Sequence, residues 1–119
     1  MSGEGGPPNL EERTYEFARD VRELVKRLPR TEGNIEDIPQ LVRASGSVAA
    51  NYIEGNDSLG KKDFLMRLRI SRKEAKESGL FLRLIDCDGE EMLEATRQRL
   101  VQEATELKLI LSSIILKSE

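Results

Sequence analysis

The segment "KKDFLMRLRISRKEAKESGLFLRLI", residues 61–85, places Phe64, Leu68, Ser71, Ala75, Ser78, Leu82 and Ile85 at alternating spacings of four and three. That is the period of one helical face, so the segment predicts a helix running to about Ile85. Ser71, Ala75 and Ser78 are small, which lets another helix approach closely at mid-length. Ser58 or Gly60 would start the helix, with Asp63 set against the positive end of its dipole.

The same stripe recurs on both sides of this segment. Leu10, Thr14, Phe17, Val21, Leu24 and Leu28 mark helix one, which Pro29 stops. After the polar connection "PRTEGNIED", Pro39 suits the first turn of helix two. Ile38, Leu41, Ser45, Val48 and Tyr52 form its inner face, and Gly55 would supply a left-handed cap. "CDGEE" breaks the chain again before helix four, which carries Leu93, Arg97, Leu100, Ala104, Leu107, Leu111 and Ile114. Arg97 is the one charge in that row, which places it near a bundle end within reach of water. No stretch alternates with period two for long enough to be a strand. The expected fold is all-α, an antiparallel up-down-up-down four-helix bundle over residues 10–117, preceded by a flexible tail at 1–9.

Composition narrows the function. The chain has 119 residues, a net charge of −3, 34% charged and 4% aromatic residues, and no histidine. Without histidine the commonest general base, the Glu-x-x-His pairs of di-iron bundles and most zinc geometries are missing. The single Cys87 lies beside Asp86 and Asp88, which oppose thiolate formation. No phosphate-binding glycine loop is present. The reading is therefore no enzyme, no cofactor, no metal and no catalytic residue. One cysteine, no apolar run of membrane length and no signal-like start point to a cytoplasmic protein without a membrane partner.

Two features exceed what a lone bundle needs. Met66, Ile70, Leu80, Phe81 and Leu84 fall outside the inner stripe of helix three, and Leu109, Ile110 and Leu116 do the same on helix four. Singly such residues are ordinary surface. Clustered on two helices, they point to association between copies of the chain. Charge is also segregated: residues 61–77 hold seven Lys/Arg against three Asp/Glu, and residues 86–106 hold seven acidic against two basic. Lys62, Arg69, Lys73, Lys76 and Arg83 share the side of helix three away from its core. A solvated face laced with pairs such as Lys73–Glu77 accounts for this. So does a strip that meets phosphates or the acidic helix of another subunit. No aromatics interleave with these charges, so any nucleic-acid contact would be to backbone.

A third feature lies on helix two. Arg43, Ser47, Ala50, Asn51 and Glu54 line up opposite its core stripe. They form either an ordinary exposed side or a face docked on a neighbouring subunit, with Glu54 paired to a cation there.

Together these residues resemble a known family. "QLVRASGSVAANYIEG" fits the pattern Q-L-x-R-[AS]-x-x-S-[IV]-x-x-N-[IY]-x-E-[GA] through Gln40, Leu41, Arg43, Ser47, Asn51, Glu54 and Gly55. Asp63-Phe64, Lys73-Glu74-Ala75 and Phe81-Leu82 fit its later half. The chain is similar, over about residues 13–117, to bacterial four-helix-bundle proteins encoded in intervening sequences of large-subunit rRNA genes. The resemblance implies a bundle assembled into a ring, commonly of five subunits, with no enzymatic activity. Relatives include basic accessory proteins of diversity-generating retroelements, thought to bind nucleic acid and a reverse transcriptase; this chain is acidic instead.

The expected function is thus a non-catalytic homo-oligomeric assembly or adaptor protein. Arg43, Ser47, Asn51, Glu54, Gly55, Met66, Ile70, Leu80 and Leu84 would form the subunit interface, with Asn51 and Glu54 fixing the end of helix two and its neighbour. The alternative is an RNA- or DNA-binding accessory protein acting through Lys61, Lys62, Arg69, Lys73 and Lys76.

Overall fold

Four stripes give four helices: α1 (Leu10–Val25), α2 (Glu32–Asn56), α3 (Lys61–Leu84) and α4 (Glu91–Ser118). The structure, a computed structural model, describes residues 9–119; the first eight residues of the expected tail lie outside the described residues. Each helix packs on its neighbours in sequence, and α1 also packs on α4, with no diagonal pair among the described residues. This is the antiparallel up-down-up-down bundle that the four stripes predict.

The core is the sum of those stripes. Phe17, Val21, Leu41, Val48, Leu68, Leu82, Leu100, Leu107 and Leu111 are buried. Each such side chain contributes about 1.5–3 kcal/mol relative to staying in water. Four buried hydroxyls sit among them, and each finds a backbone acceptor, Ser45 donating to the Val42 carbonyl at 3.2 Å. Thr14 and Ser78 donate within their own helices, to the carbonyls of Leu10 and Glu74. Ser71 donates across to the Val48 carbonyl at 2.7 Å.

Two local expectations need correction. Helix two begins one to two turns earlier than Pro39 suggests. Thr31 is its cap, its Oγ1 accepting from the Asn34 N–H at 3.1 Å, and Pro39 lies inside the helix. The buried Asn34 explains the early start. Its Nδ2 donates to the carbonyls of Pro29 and Asp86, both at 2.9 Å, while its Oδ1 accepts from the Asp86 N–H at 2.8 Å. One amide thereby ties the α1–α2 turn to the α3–α4 turn, and most of "PRTEGNIED" becomes helix. Pro39 removes one ladder hydrogen bond there and is exposed, where water can satisfy the orphaned carbonyl.

Gly55 is not a left-handed cap either. Helix α2 continues through it to Asn56, and the residue is buried. A Cβ at Gly55 would lie 2.7 Å from Leu68 Cδ1 and 3.3 Å from Arg67 Cβ. The glycine is required by the closeness of α3, not by backbone twist. Of the two cap candidates for α3, Gly60 takes the position, and it contributes no side-chain bond.

Arg97 lies at a bundle end as expected, and it also acts there. Its Nη1 donates to the carbonyls of Ile85 at 2.6 Å and Arg83 at 3.2 Å, while Glu94 holds the same guanidinium. A cation from α4 thus satisfies the C-terminal carbonyls of α3 and meets the negative end of its dipole.

Candidate interaction surfaces

Helix α3 has a neighbour on each flank and a third side facing outward. The flank toward α2 is a polar seam. Arg67 Nη1 donates to Asn51 Oδ1 at 3.1 Å. Asn51 in turn donates to Ser47 Oγ at 2.9 Å and to the Ser47 carbonyl at 3.0 Å. One turn further along α2, Arg43 reaches Glu74 at 3.4 Å and Glu77 at 3.2 Å. Among the described residues no buried side-chain nitrogen or oxygen is left without a partner.

Three of the polar positions singled out on α2 therefore meet here, though inside one subunit: Arg43, Ser47 and Asn51 serve the α2–α3 seam, as does Gly55 by its close approach to α3. Glu54 is different. It is exposed, and its carboxylate makes no ion pair or hydrogen bond among the described residues. Glu77 pairs with Arg43 rather than with Lys73.

The seam also holds a carboxylate that periodicity alone passes over. The Glu74 side chain is only 8% exposed. Burial pushes its pKa above the ordinary glutamate value, and the hydrogen bond with Glu77 adds to this, outweighing the opposing Arg43. Glu77 is held below its ordinary value by the same hydrogen bond and by Arg43. The two carboxylates titrate as a coupled pair, with burial at Glu74 opposing its charge and Arg43 favouring charge on Glu77. The signal was the position itself: Glu74 stands three residues from Ser71, at the edge of the core stripe.

The outward side of α3 is apolar and cationic. Met66, Leu80 and Leu84 stay exposed, as do Leu109 and Leu116 on α4, with exposures from 46 to 73%. The expected surplus is smaller than spacing suggests, because Phe81 and Ile110 pack against the core and Ile70 is half-buried.

The cations divide. Lys61 donates to the Glu119 carbonyl and Arg69 pairs with the Glu119 side chain at 2.8 Å, so both hold the end of α4. Lys62, Lys73 and Lys76 make no ion pair among the described residues. Arg83 and Lys108 join Lys76 around a groove between α3 and α4. Lys108 gives no signal in the sequence, because it stands alone just beyond the acidic stretch 86–106 and joins Lys76 only through the packing of α4 on α3.

Among the described residues no three of His, Cys, Asp and Glu are grouped to hold a metal ion. Cys87 is buried, and desolvation raises its pKa, which keeps it a thiol. No helix among the described residues is long and apolar enough to cross a membrane.

Comparison with known proteins agrees with this architecture. No curated protein matches the chain. A crystal structure of a protein with unknown function from the S23 ribosomal protein family of Bacteroides thetaiotaomicron VPI-5482 superposes with a TM-score of 0.76 at 28% identity, covering 88% of this chain and 96% of that one. The model of the 23S rRNA-intervening sequence protein family matches residues 9–113. With four helices in the expected order and nearly the whole chain matched, the chain belongs to the 23S rRNA-intervening sequence protein family.

Proposed function

We propose that this chain is a non-catalytic assembly or adaptor protein that works as a homo-oligomer. The observation that carries the reading is the exposed set Met66, Leu80, Leu84, Leu109 and Leu116, which lies outside an already complete core. Covering these side chains removes apolar surface from water at about 25 cal/mol per Å², and a second copy of the chain is always at hand to do so. Met66, Ile70, Leu80 and Leu84 supply one side of the contact. Glu54, solvent-facing and unpaired among the described residues, is placed to meet a cation of a neighbour. A ring of five subunits, implied by the family resemblance, and a cytoplasmic location, expected from the sequence, belong to the same proposal.

Light scattering tests it. The wild-type chain should have a mass several times that of one subunit, and Glu54→Lys should shift it to smaller species. A wild-type mass of one subunit removes the oligomer, and an unchanged mass in the variant removes the role of Glu54.

A second reading has its own support in Lys62, Lys73 and Lys76, cations whose charge nothing among the described residues neutralises. On that reading the outer face of α3 contacts RNA or DNA phosphates. Binding would then weaken steeply with salt and disappear when these lysines become glutamates.

A further inference from the structure

Gly79 stands in the middle of α3, where a glycine costs helix stability relative to alanine. Packing does not require it: a Cβ there would lie 3.8 Å from the Ala104 Cβ, an ordinary contact. What the missing side chain supplies is depth. Between α3 and α4 runs a groove of about 240 Å³ with Ala75, Gly79 and Ala104 on its lining, and Leu80 and Val101 beside them. Lys76, Arg83 and Lys108 border the same groove. No ion pair among the described residues engages any of the three. Elsewhere the bundle spends its cations across helix boundaries, as Arg13 does on Glu103 and Arg43 on Glu74.

The cations have a definite layout. Lys76 and Arg83 are seven residues apart on one helix, about 10 Å along its axis. The antiparallel register, with Arg72 bonded to Ser112 and Gly79 beside Ala104, sets Lys108 level with Lys76. Positive charge therefore stands at both ends of a floor two helical turns long, apolar but for Thr105, whose hydroxyl donates to the Val101 carbonyl at 3.1 Å.

We infer that this groove is the docking site for an acidic amphipathic helix of a different protein. Carboxylates seven residues apart on that helix meet Lys76 with Lys108 at one end and Arg83 at the other. An apolar side chain midway between them enters over Gly79. This is the helix-in-groove mode, with anchors at positions i, i+3 or i+4, and i+7. The client it names rests on the adaptor reading, but the groove shares only Leu80 with the strip assigned to self-association.

A second copy of the chain is a poor occupant. Within the four helices only Glu16 and Glu23 are acidic residues at that spacing, and Arg19 and Asp20 lie between them. A sugar-phosphate backbone would satisfy the cations and leave the floor, Leu80 and Val101 uncovered.

The test uses the full chain and a fluorescein-labelled helical peptide of about four turns, with two glutamates seven residues apart and leucines midway. Anisotropy at low ionic strength should show binding, weakened about tenfold or more by Lys76→Glu or Arg83→Glu and abolished by Gly79→Leu, which fills the groove. Should Gly79→Leu fail to fold, the double variant Lys76→Glu, Lys108→Glu serves in its place. A peptide with serines for the leucines should not bind. Absence of binding to the wild type overturns the site. So does equal binding of the serine peptide, undiminished binding to Gly79→Leu, or RNA oligonucleotide binding that is insensitive to Gly79→Leu while the peptide does not bind. Light scattering on the same samples separates the two readings. Peptide binding by a monomeric chain would sink the oligomer and keep the groove, and an oligomer blind to the peptide would do the reverse.

Discussion

Gly55 and Gly79 are both helical glycines facing a neighbouring helix, on α2 and α3 respectively, and they are present for opposite reasons. At Gly55 a single added carbon would sit 2.7 Å from Leu68 and 3.3 Å from Arg67, so the residue marks a seam that is closed. At Gly79 the same carbon would find only an ordinary neighbour, so that residue marks a seam left open. The closed seam uses its polar groups internally: Arg43, Asn51, Arg67, Ser71 and Glu74 all bond across α2 and α3. The open seam presents Lys76, Arg83 and Lys108 to whatever approaches. One helix thus divides its two flanks between holding the fold and meeting something outside it.

Breaking the closed seam should have the larger effect. Gly55→Val forces carbon atoms into Leu68 and the stem of Arg67 and pushes α2 from α3 just where the chain turns. Overpacking of this kind costs about 2–3 kcal/mol, which thermal denaturation should register as a fall in Tm of about 10 °C. A Tm within a degree or two of wild type would mean that the two helices yield easily, and the contrast with Gly79 would collapse.

How far the contrast could be read in advance depends on the kind of interaction. The alternating spacing in residues 61–85 located α3 and its core, because burial repeats with the helix. The start of α2 could not be found that way. It depends on Thr31 and on Asn34 reaching Asp86, fifty-two residues away in sequence, a contact with no local signature. Gly55 was legible as a special position, but the usual reason for glycine near a helix end, a left-handed backbone, was the wrong one. Arg43, Ser47 and Asn51 stood out as a polar row, while their partners Arg67, Glu74 and Glu77 emerged only once α3 was laid beside α2. Lys108 lies just beyond the acidic stretch 86–106, and only the antiparallel register brings it level with Lys76 on α3.

At the open seam the expected effect is smaller and of opposite sign. Gly79→Ala places its methyl in ordinary contact and relieves the entropic cost of glycine in a helix. Stability should rise by about 0.5–1 kcal/mol, read as a higher Tm with the mass in solution unchanged. A lower Tm would mean that the α3–α4 seam is as closely fitted as the α2–α3 seam, and the groove would lose its physical basis.

The most delicate test lies inside the closed seam, in the raised pKa of Glu74. Facing its carboxyl are Arg43 from α2 and, on α3 itself, Glu77 and Lys73. Because its native pKa is raised, the folded chain binds the proton of this carboxyl more tightly than the unfolded chain does. Its contribution is therefore complete at acid pH and is lost as pH rises through the native value. Glu77, whose native pKa is lowered, works the other way, adding stability that disappears as pH falls. Glutamine at position 74 keeps the shape and cannot ionise, so Glu74→Gln removes the first of these trends and leaves Arg43 to hold Glu77 low. The Tm of the variant relative to wild type should climb as pH rises above the ordinary glutamate range, where the buried glutamate would otherwise be forced to ionise. A relative Tm that fell with rising pH would show that attraction to Arg43 outweighs burial, and the seam would then be held by an ion pair rather than by a carboxyl kept partly neutral.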